Sequence, residues 1–408
     1  MKPFLNEQLR RSLLLEIASG FYAEGCRFLS NRRICRLWKV SETTVKRSLA
    51  ALVADNLLEV RPRSGYRVAP GARRRALLDL HHTQTQSLPP PLTWESKRFG
   101  LLAADRKQRR LAVVFDGIAG RQRQPDSRVP TVVSSSLLCA RAFFDEATRR
   151  NLEILFFLNN GTRSTRDEIA ATLQCQGPDG VAVFRRGYAP SLQYMPLKQL
   201  ARKLPVISVF EPAPEAETPS ICINNVGTGY DAARLLTTEG HRRLAFLSAR
   251  PESRFIAERF EGFEMAVREA GASAPELTRI HLPRHREPTG AARRKLRNLF
   301  AEKSLRPTAL FSPNVAGILN LRSILVEARC RVPADLSIIA CASSTLMPRK
   351  DFPYDLMDID FTAIGREAFT RLLDLIDGRP VERTILFDPD HQTRGSTRRL
   401  RGPLKTAT

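Results

Sequence analysis

The sequence predicts two unlike units in one chain: a small α+β unit of three helices closed by a hairpin, then a larger α/β unit of two lobes built on parallel sheets. Three observations carry this reading. Apolar residues near the start recur at helical spacing and give way to two short strand-like runs. A stretch from about residue 69 to residue 110 has no sustained apolar period. Beyond it, short runs apolar on both faces alternate with amphipathic helices through the rest of the 408 residues.

In the first unit, Leu9, Leu13, Ile17 and Phe21 share one helical stripe, and Gly20 supplies a stop. Ser30 can cap a short second helix that turns Ile34, Leu37 and Trp38 inward. After Lys39 and Val40, Ser41 opens a third helix with Val45, Leu49, Leu52 and Val53 on its stripe. Residues 57–60 and 66–68 read as strands around RPRSG, whose Gly65 can take the positive φ of a tight hairpin. This unit spans residues 1–70. Residues 71–110 are expected to be a basic, proline-rich linker, with Arg73, Arg74, Arg75, Pro89, Pro90, Pro91 and the run Arg106 to Arg110.

From Leu111 onward the apolar runs are LAVVF, EILFFL, GVAVF, PVISVF, RLAFLS, TALFS and LSIIAC, each of strand length. Helical segments such as 137–150, 230–238 and 259–270 lie between them. Such a pattern means parallel strands in open sheets, and residues 111–408 suit two sheets with a ligand cleft where the strands' carboxyl ends meet.

Charge narrows the function. Sixty-five Lys and Arg against 42 Asp and Glu give a net charge of +23, and the first 80 residues alone carry 16 basic against 7 acidic side chains. That balance favours a polyanionic partner, nucleic acid or an anionic membrane. No window approaches the roughly 18 consecutive apolar residues of a spanning helix. Glu7, Arg10, Arg11 and Glu16 interrupt the only apolar stretch that a signal peptide could use. A cytoplasmic protein without a membrane partner is expected. Seven cysteines without a C-x-x-C read as small, mostly buried hydrophobes in a reducing compartment. His281 and His285 have ligand spacing, but Pro283 breaks the helix that would align them, so no metal and no cofactor are expected.

The chemistry is concentrated in SNRRICRLWKVSETTVKRSLAALVADNLLEVRPRSGYRV. Ser41 caps a helix whose first turn, Glu42, Thr43, Thr44, Lys46 and Arg47, would face base edges and phosphates in a major groove. Arg32 and Arg33 on the preceding helix would grip the backbone, while Arg61, Arg63 and Ser64 on the hairpin would reach an adjacent groove or phosphate. One such arginine alone is ordinary surface; the cluster on helix, helix and hairpin points to double-stranded DNA.

Residues 5–70 resemble the winged helix-turn-helix of GntR-family bacterial regulators, through Phe28, Leu29, Arg32, Val40-Ser41, Thr43-Thr44-Val45-Lys46 and Gly65. The resemblance implies DNA-contact roles for Arg32, Thr43, Thr44, Lys46 and Gly65. Two departures stand out. Glu42 replaces the family's usual arginine and could accept from cytosine N4, and Phe28-Leu29 replaces the usual Leu-Pro.

Residues from about 110 to 400 resemble LacI-type sensor domains, which have a two-lobed, type I periplasmic-binding-protein-like fold. DAARLLTTEGHRRLAFLSARPESRFIAERFEGFEMAVREAGA, TALFSPNVAGILNLRSILVEARCRVPADLSIIACAS and DPDHQTRGST carry the match. The resemblance makes Arg259 a clamp for an effector's hydroxyls or carboxylate and places Asn314 at a strand end in the pocket. Val315 and Ala342 stand where that family has aspartates, so a neutral monosaccharide fits poorly and a sugar-derived acid or other anion fits better. Asp116, after the first strand, could supply an acidic ligand or simply hold a turn with Gly117. Gly240, where a helix meets the next strand, needs tolerance of positive φ.

Together these readings predict a dimeric, sequence-specific transcription regulator that binds a DNA operator and answers to a small-molecule effector. A second reading keeps the DNA-binding head and makes the sensor a ligand-free dimerisation platform. A third, an enzyme, lacks its usual carriers: no G-x-S-x-G, P-loop, H-E-x-x-H or strand-linked G-x-G-x-x-G occurs.

Overall fold

The first apolar stripe forms α1 (Leu5–Ala18), with Leu9, Leu13 and Ile17 fully buried. In this computed structural model the described residues are 5–18, 22, 24–61, 65–83, 108–116, 131–185, 194–213, 217–249, 253–269, 274–282 and 288–400. Gly20 and Phe21 lie outside them. Helices α2 (Asn31–Trp38) and α3 (Glu42–Ala54) start where their serines allow: Ser30 accepts from Arg33 N and Ser41 from Thr44 N, each satisfying an amide of the first turn. Ile34, Val45, Leu49 and Leu52 are buried on the facing stripes. The hairpin is β1 (Leu58–Arg61) and β2 (Gly65–Val68), antiparallel, with Arg61 opposite Gly65 at φ 83°. A bridge between Arg27 and Arg67, and Phe28 N donating to Tyr66 O at 2.8 Å, add a third rung to the wing.

The expected linker needs correcting at its start, because residues 72–83 are a helix, α4 (Ala72–Thr83). Ala72, Ala76 and Leu77 are buried, and two of the three arginines in the expected linker run have backbone partners. Arg73 donates to Ala18 O at 3.2 Å, and Arg75 to Asn56 O and Pro70 O. Arg10 joins this helix to α3's end through Asp79 and Asp55. The rest of the expected linker up to residue 107, with Pro89, Pro90, Pro91, Arg106 and Lys107, lies outside the described residues.

Each of the seven apolar runs is a strand, arranged in two six-stranded sheets. The elements of the first lobe are β3 (Arg110–Asp116), α5 (Thr131–Arg149), β4 (Glu153–Asn159), α6 (Arg163–Gln176), β5 (Gly180–Arg185), α7 (Leu197–Leu200), β6 (Val206–Val209) and β7 (Ser220–Ile223). Then follow α8 (Asn225–Thr238), β8 (Arg243–Ser248), α9 (Arg254–Glu269), β9 (Glu276–His281), α10 (Gly290–Ala301), β10 (Ala309–Ser312), α11 (Val315–Glu327), β11 (Ser337–Ala342) and β12 (Asp355–Asp358). The chain then supplies α12 (Phe361–Ile376) and β13 (Thr384–Phe387) to the first lobe and β14 (Asp390–Gln392) to the second.

The first sheet runs β13-β7-β6-β5-β3-β4, all parallel. It belongs to one compact unit with the N-terminal head. Its core is Val114, Val181, Val183 and Ile169 on one face, and Phe143 and Phe184 are also fully buried. One expectation fails here. As an edge strand, β4 leaves Phe156 and Leu158 exposed, so this run is not covered on both faces.

The second sheet runs β14-β12-β11-β10-β8-β9, parallel except for β14 against β12. Helices α8 and α9 cross at two glycines. A Cβ on Gly262 would lie 1.9 Å from Val226 O, and one on Gly229 would lie 1.8 Å from Arg259 O. Only a residue without a side chain permits that approach. Phe263 then stacks on Phe311, centroids 5.6 Å apart. Gly240 has φ 89°, and the following His241 is fully buried between Thr308 Oγ1 and Arg398 O.

Candidate DNA-reading head and ligand site

The inward stripes of α2 and α3 leave one polar face. On it Arg32, Arg33, Ser41, Glu42, Thr43, Lys46 and Arg47 are exposed, with Thr44 half-buried. Ser41 Oγ and Thr44 Oγ1 lie 2.9 Å apart, so both hydroxyls help cap the helix as well as facing solvent. Lys46 Nζ is 2.9 Å from the Glu42 carboxylate, one turn earlier, and that neighbour raises the ammonium's pKa. Arg33 forms an ion pair with Glu217, which precedes β7. On the wing, Arg61 is exposed and lies 3.2 Å from Glu59, and Gly65 is exposed at the turn. Arg63 and Ser64 lie outside the described residues. Arg36 and Arg67, not singled out from the sequence, are exposed too; Arg67 donates to Gly25 O at 2.7 Å and fastens the wing.

In the first lobe, Asp116 ends β3 and is 1 % exposed. Its carboxylate accepts from Asn159 Nδ2 at 2.7 Å and Met195 N at 2.9 Å, with Arg185 Nε 3.9 Å away. Burial pushes this carboxyl up, and those donors oppose the shift. The residue therefore ties β3, β4 and the segment before α7 together at the strands' carboxyl ends.

In the second lobe, Arg259 is 4 % exposed. Its Nε donates to Asn225 Oδ1 at 3.1 Å and its Nη1 to Pro313 O at 2.5 Å, while Phe255 lies under the guanidinium. Neighbouring carboxylates are taken elsewhere: Glu258 by Arg254 and Asn225, Glu264 by Arg268. Among the described residues the Arg259 guanidinium thus meets neutral acceptors, and it is held at the carboxyl end of β10, beside Cys341. Asn314 caps α11, accepting from Gly317 N at 3.1 Å, and Val315 behind it is 5 % exposed. Asp358, the last residue of β12, accepts from Ser344 N at 2.7 Å; no motif in the sequence marked it. No group of three or more metal-ligating side chains occurs among the described residues. Four cysteines are buried, two are half-buried, and Cys175 is exposed. No helix among the described residues is long and apolar enough to cross a membrane.

Comparison with known proteins matches these two parts separately. Residues 5–68 fit the family model "Bacterial regulatory proteins, gntR family", and residues 233–397 fit "Periplasmic binding protein-like domain". The chain joins a GntR-type head to a periplasmic-binding-protein-like domain. Curated relatives include the HTH-type transcriptional repressor CytR of Escherichia coli (strain K12), 29 % identical over 48 % of this chain and 57 % of its own length. The HTH-type transcriptional repressor PurR of Aliivibrio fischeri (strain MJ11) is 28 % identical over 50 % of this chain and 60 % of its own. The chain thus spans well under two thirds of these relatives. Among solved structures, a putative LacI-family transcriptional regulator from Rhizobium etli superposes with a TM-score of 0.57 at 19 % identity, over 71 % of this chain and 99 % of that one. A LacI transcriptional regulator from Rhodococcus species gives 0.53 at 20 % identity, over 71 % and 99 %. The two-lobed fold of the GntR-headed chain is the fold of those structures.

Proposed function

We propose that this protein is a sequence-specific DNA-binding transcription regulator, and not an enzyme. The observation that carries it is the exposed first turn of α3, capped by Ser41 and flanked by Arg32 and Arg61, on a head that fits the gntR model. Thr43 and Arg47 face the bases, Lys46 and Arg32 the phosphates, and the wing an adjacent backbone. Two heads act together in a homodimer, for which the exposed Phe156 and Leu158 on the β4 edge offer apolar contact.

The sensor takes a small effector through Arg259 at the β10 end. With neutral acceptors only on the guanidinium among the described residues, and with Val315 and Ala342 buried in the apolar core where related sensors have aspartates, an anionic ligand suits it better than a neutral sugar. A second reading, a ligand-free platform, is favoured by Asp116, whose oxygens already accept from Asn159 and Met195.

Selection of binding sites from random duplexes by the purified full chain tests the main reading. A near-palindromic site recovered at physiological salt supports it; binding without sequence preference overturns it.

A further inference from the structure

The contacts between the head and the first lobe are not those of a freely tethered module. Glu16 on α1 is 1 % exposed, and Arg383, immediately before β13, is 4 % exposed. Arg383 Nη1 donates to Glu16 Oε1 at 2.9 Å across 367 residues of sequence. Tyr22 Oη donates to the other carboxylate oxygen at 2.9 Å, and the guanidinium sits 5.6 Å from the Trp38 ring centroid. Arg383 O in turn accepts from Ser220 N at 3.0 Å, so the arginine's backbone is part of the β13–β7 edge of the first sheet. Two further pairs of opposite charges match across the same boundary. Arg11 on α1 lies in the field of Glu382, and Arg33 on α2 pairs with Glu217 just before β7.

We propose that the reading head is docked on the β13–β7 edge of the sensor's first lobe, locked by the buried Glu16–Arg383 pair, and that the exposed Arg33–Glu217 pair at the rim is exchanged for a DNA phosphate on binding. The inference rests on the DNA-binding reading only for its second half. Two desolvated charges stay together because separating them leaves each uncompensated in a low-dielectric setting. The rim pair is solvated and cheap to break. Arg33 is therefore free to change partner while Arg383 is not. Docking in this way places the head on the sheet edge that the returning chain completes, so a shift of that edge moves the reading helices directly.

Trp38 reports the lock. The chain has two tryptophans, and Trp94→Phe leaves Trp38 as the only emitter. In that background Arg383→Met should make Trp38 severalfold more quenchable by acrylamide and shift its emission to the red, with far-UV circular dichroism unchanged. If Arg383→Met fails to fold, Arg383→Lys, which keeps the charge and gives up the fork, carries the same expectation at smaller size. Quenching as in the parent would overturn docking. Separately, in the full chain Glu217→Gln should tighten binding to a random-sequence 30-base-pair duplex severalfold, and Arg33→Gln should weaken it and lower the salt slope by about one phosphate contact. Unchanged affinity and slope would overturn the exchange. A chain that binds no duplex even at low salt would sink the DNA reading and leave the Trp38 result standing.

Discussion

Glu42 and Lys46 close an ion pair over one turn of α3, with 2.9 Å between ammonium and carboxylate, on the face the head would turn to DNA. Both side chains are well exposed, so the pair itself adds little to stability. Its consequence is for binding: Lys46 would approach a phosphate with part of its charge already answered. Glu42→Ala is therefore expected to raise affinity for all duplexes and to increase the salt slope, measured by fluorescence anisotropy across a salt series. Loss of preference at a single operator position by roughly 1–3 kcal/mol, with the slope unchanged, would assign Glu42 to base reading instead.

The α8–α9 crossing makes a stability prediction. A methyl group at Gly262 would meet the Val226 carbonyl at 1.9 Å, and that carbonyl, in the first turn of α8, is fixed by the helical backbone. Gly262→Ala should cost about 2 kcal/mol or more despite the better helix propensity of alanine. Gly229→Ala relieves the same contact by the same helix separation, so the double variant should cost less than the sum of the two. Urea unfolding of the four proteins measures this, and full additivity would show that the glycines act separately.

Burial at His241 sets a pH dependence. The ring is fully buried, and desolvation lowers its pKa to about 4 from an ordinary 6.5. The unfolded chain therefore binds a proton below pH 6.5 that the folded chain refuses. The stability associated with the neutral ring is complete above 6.5 and is lost as pH falls toward 4, by about 3 kcal/mol. Asp355 acts at lower pH. Hydrogen bonds from Thr397 and from the amides of Ser396, Arg394 and Gly395 hold its carboxyl below the usual range, so its contribution fades only in stronger acid. Urea midpoints between pH 7 and 4 should decline in the wild type and flatten in His241→Gln; parallel declines would exclude His241 as the cause.

How far the sequence reached follows from what each element shows locally. Strands buried on both faces, such as residues 111–115 and 244–247, announce themselves by composition alone. Strand β9 does not, because Glu276, Thr278, Arg279 and His281 are exposed on an edge, and β14 is exposed along its whole length. Helix α4 was hidden because arginine reads as solvated, whereas Arg73 and Arg75 spend their donors on the carbonyls of Ala18, Asn56 and Pro70. The helices of the head and their exposed polar face were legible because capping serines and apolar stripes are local signals. Arg259 was singled out only through the resemblance to LacI-type sensor domains, and its acceptors on Asn225 and Pro313 come from 34 and 54 residues away. The Glu16–Arg383 pair had no local signal at all, since neither residue differs in its own neighbourhood from a surface charge.

The effector prediction turns on Arg259. Its guanidinium is held in position by Asn225 Oδ1 and Pro313 O, two neutral acceptors that orient the fork without neutralising it. A carboxylate or sugar acid arriving there would gain a charge-assisted hydrogen bond, whereas a neutral hexose would lack the acceptors that aspartates at positions 315 and 342 would supply, at roughly 1–3 kcal/mol for each hydroxyl left unpaired. A ligand at a hundred times its Kd stabilises the folded state by about 2.7 kcal/mol, which a thermal scan resolves easily. Sugar acids and small carboxylates should therefore raise the wild-type melting temperature and leave Arg259→Ala unmoved. A neutral hexose stabilising both proteins equally would overturn the anionic assignment. If no compound in a broad panel shifts the wild type, the engaged Asp116 and the apolar Val315 and Ala342 have the simpler meaning that the lobes serve only to pair two reading heads.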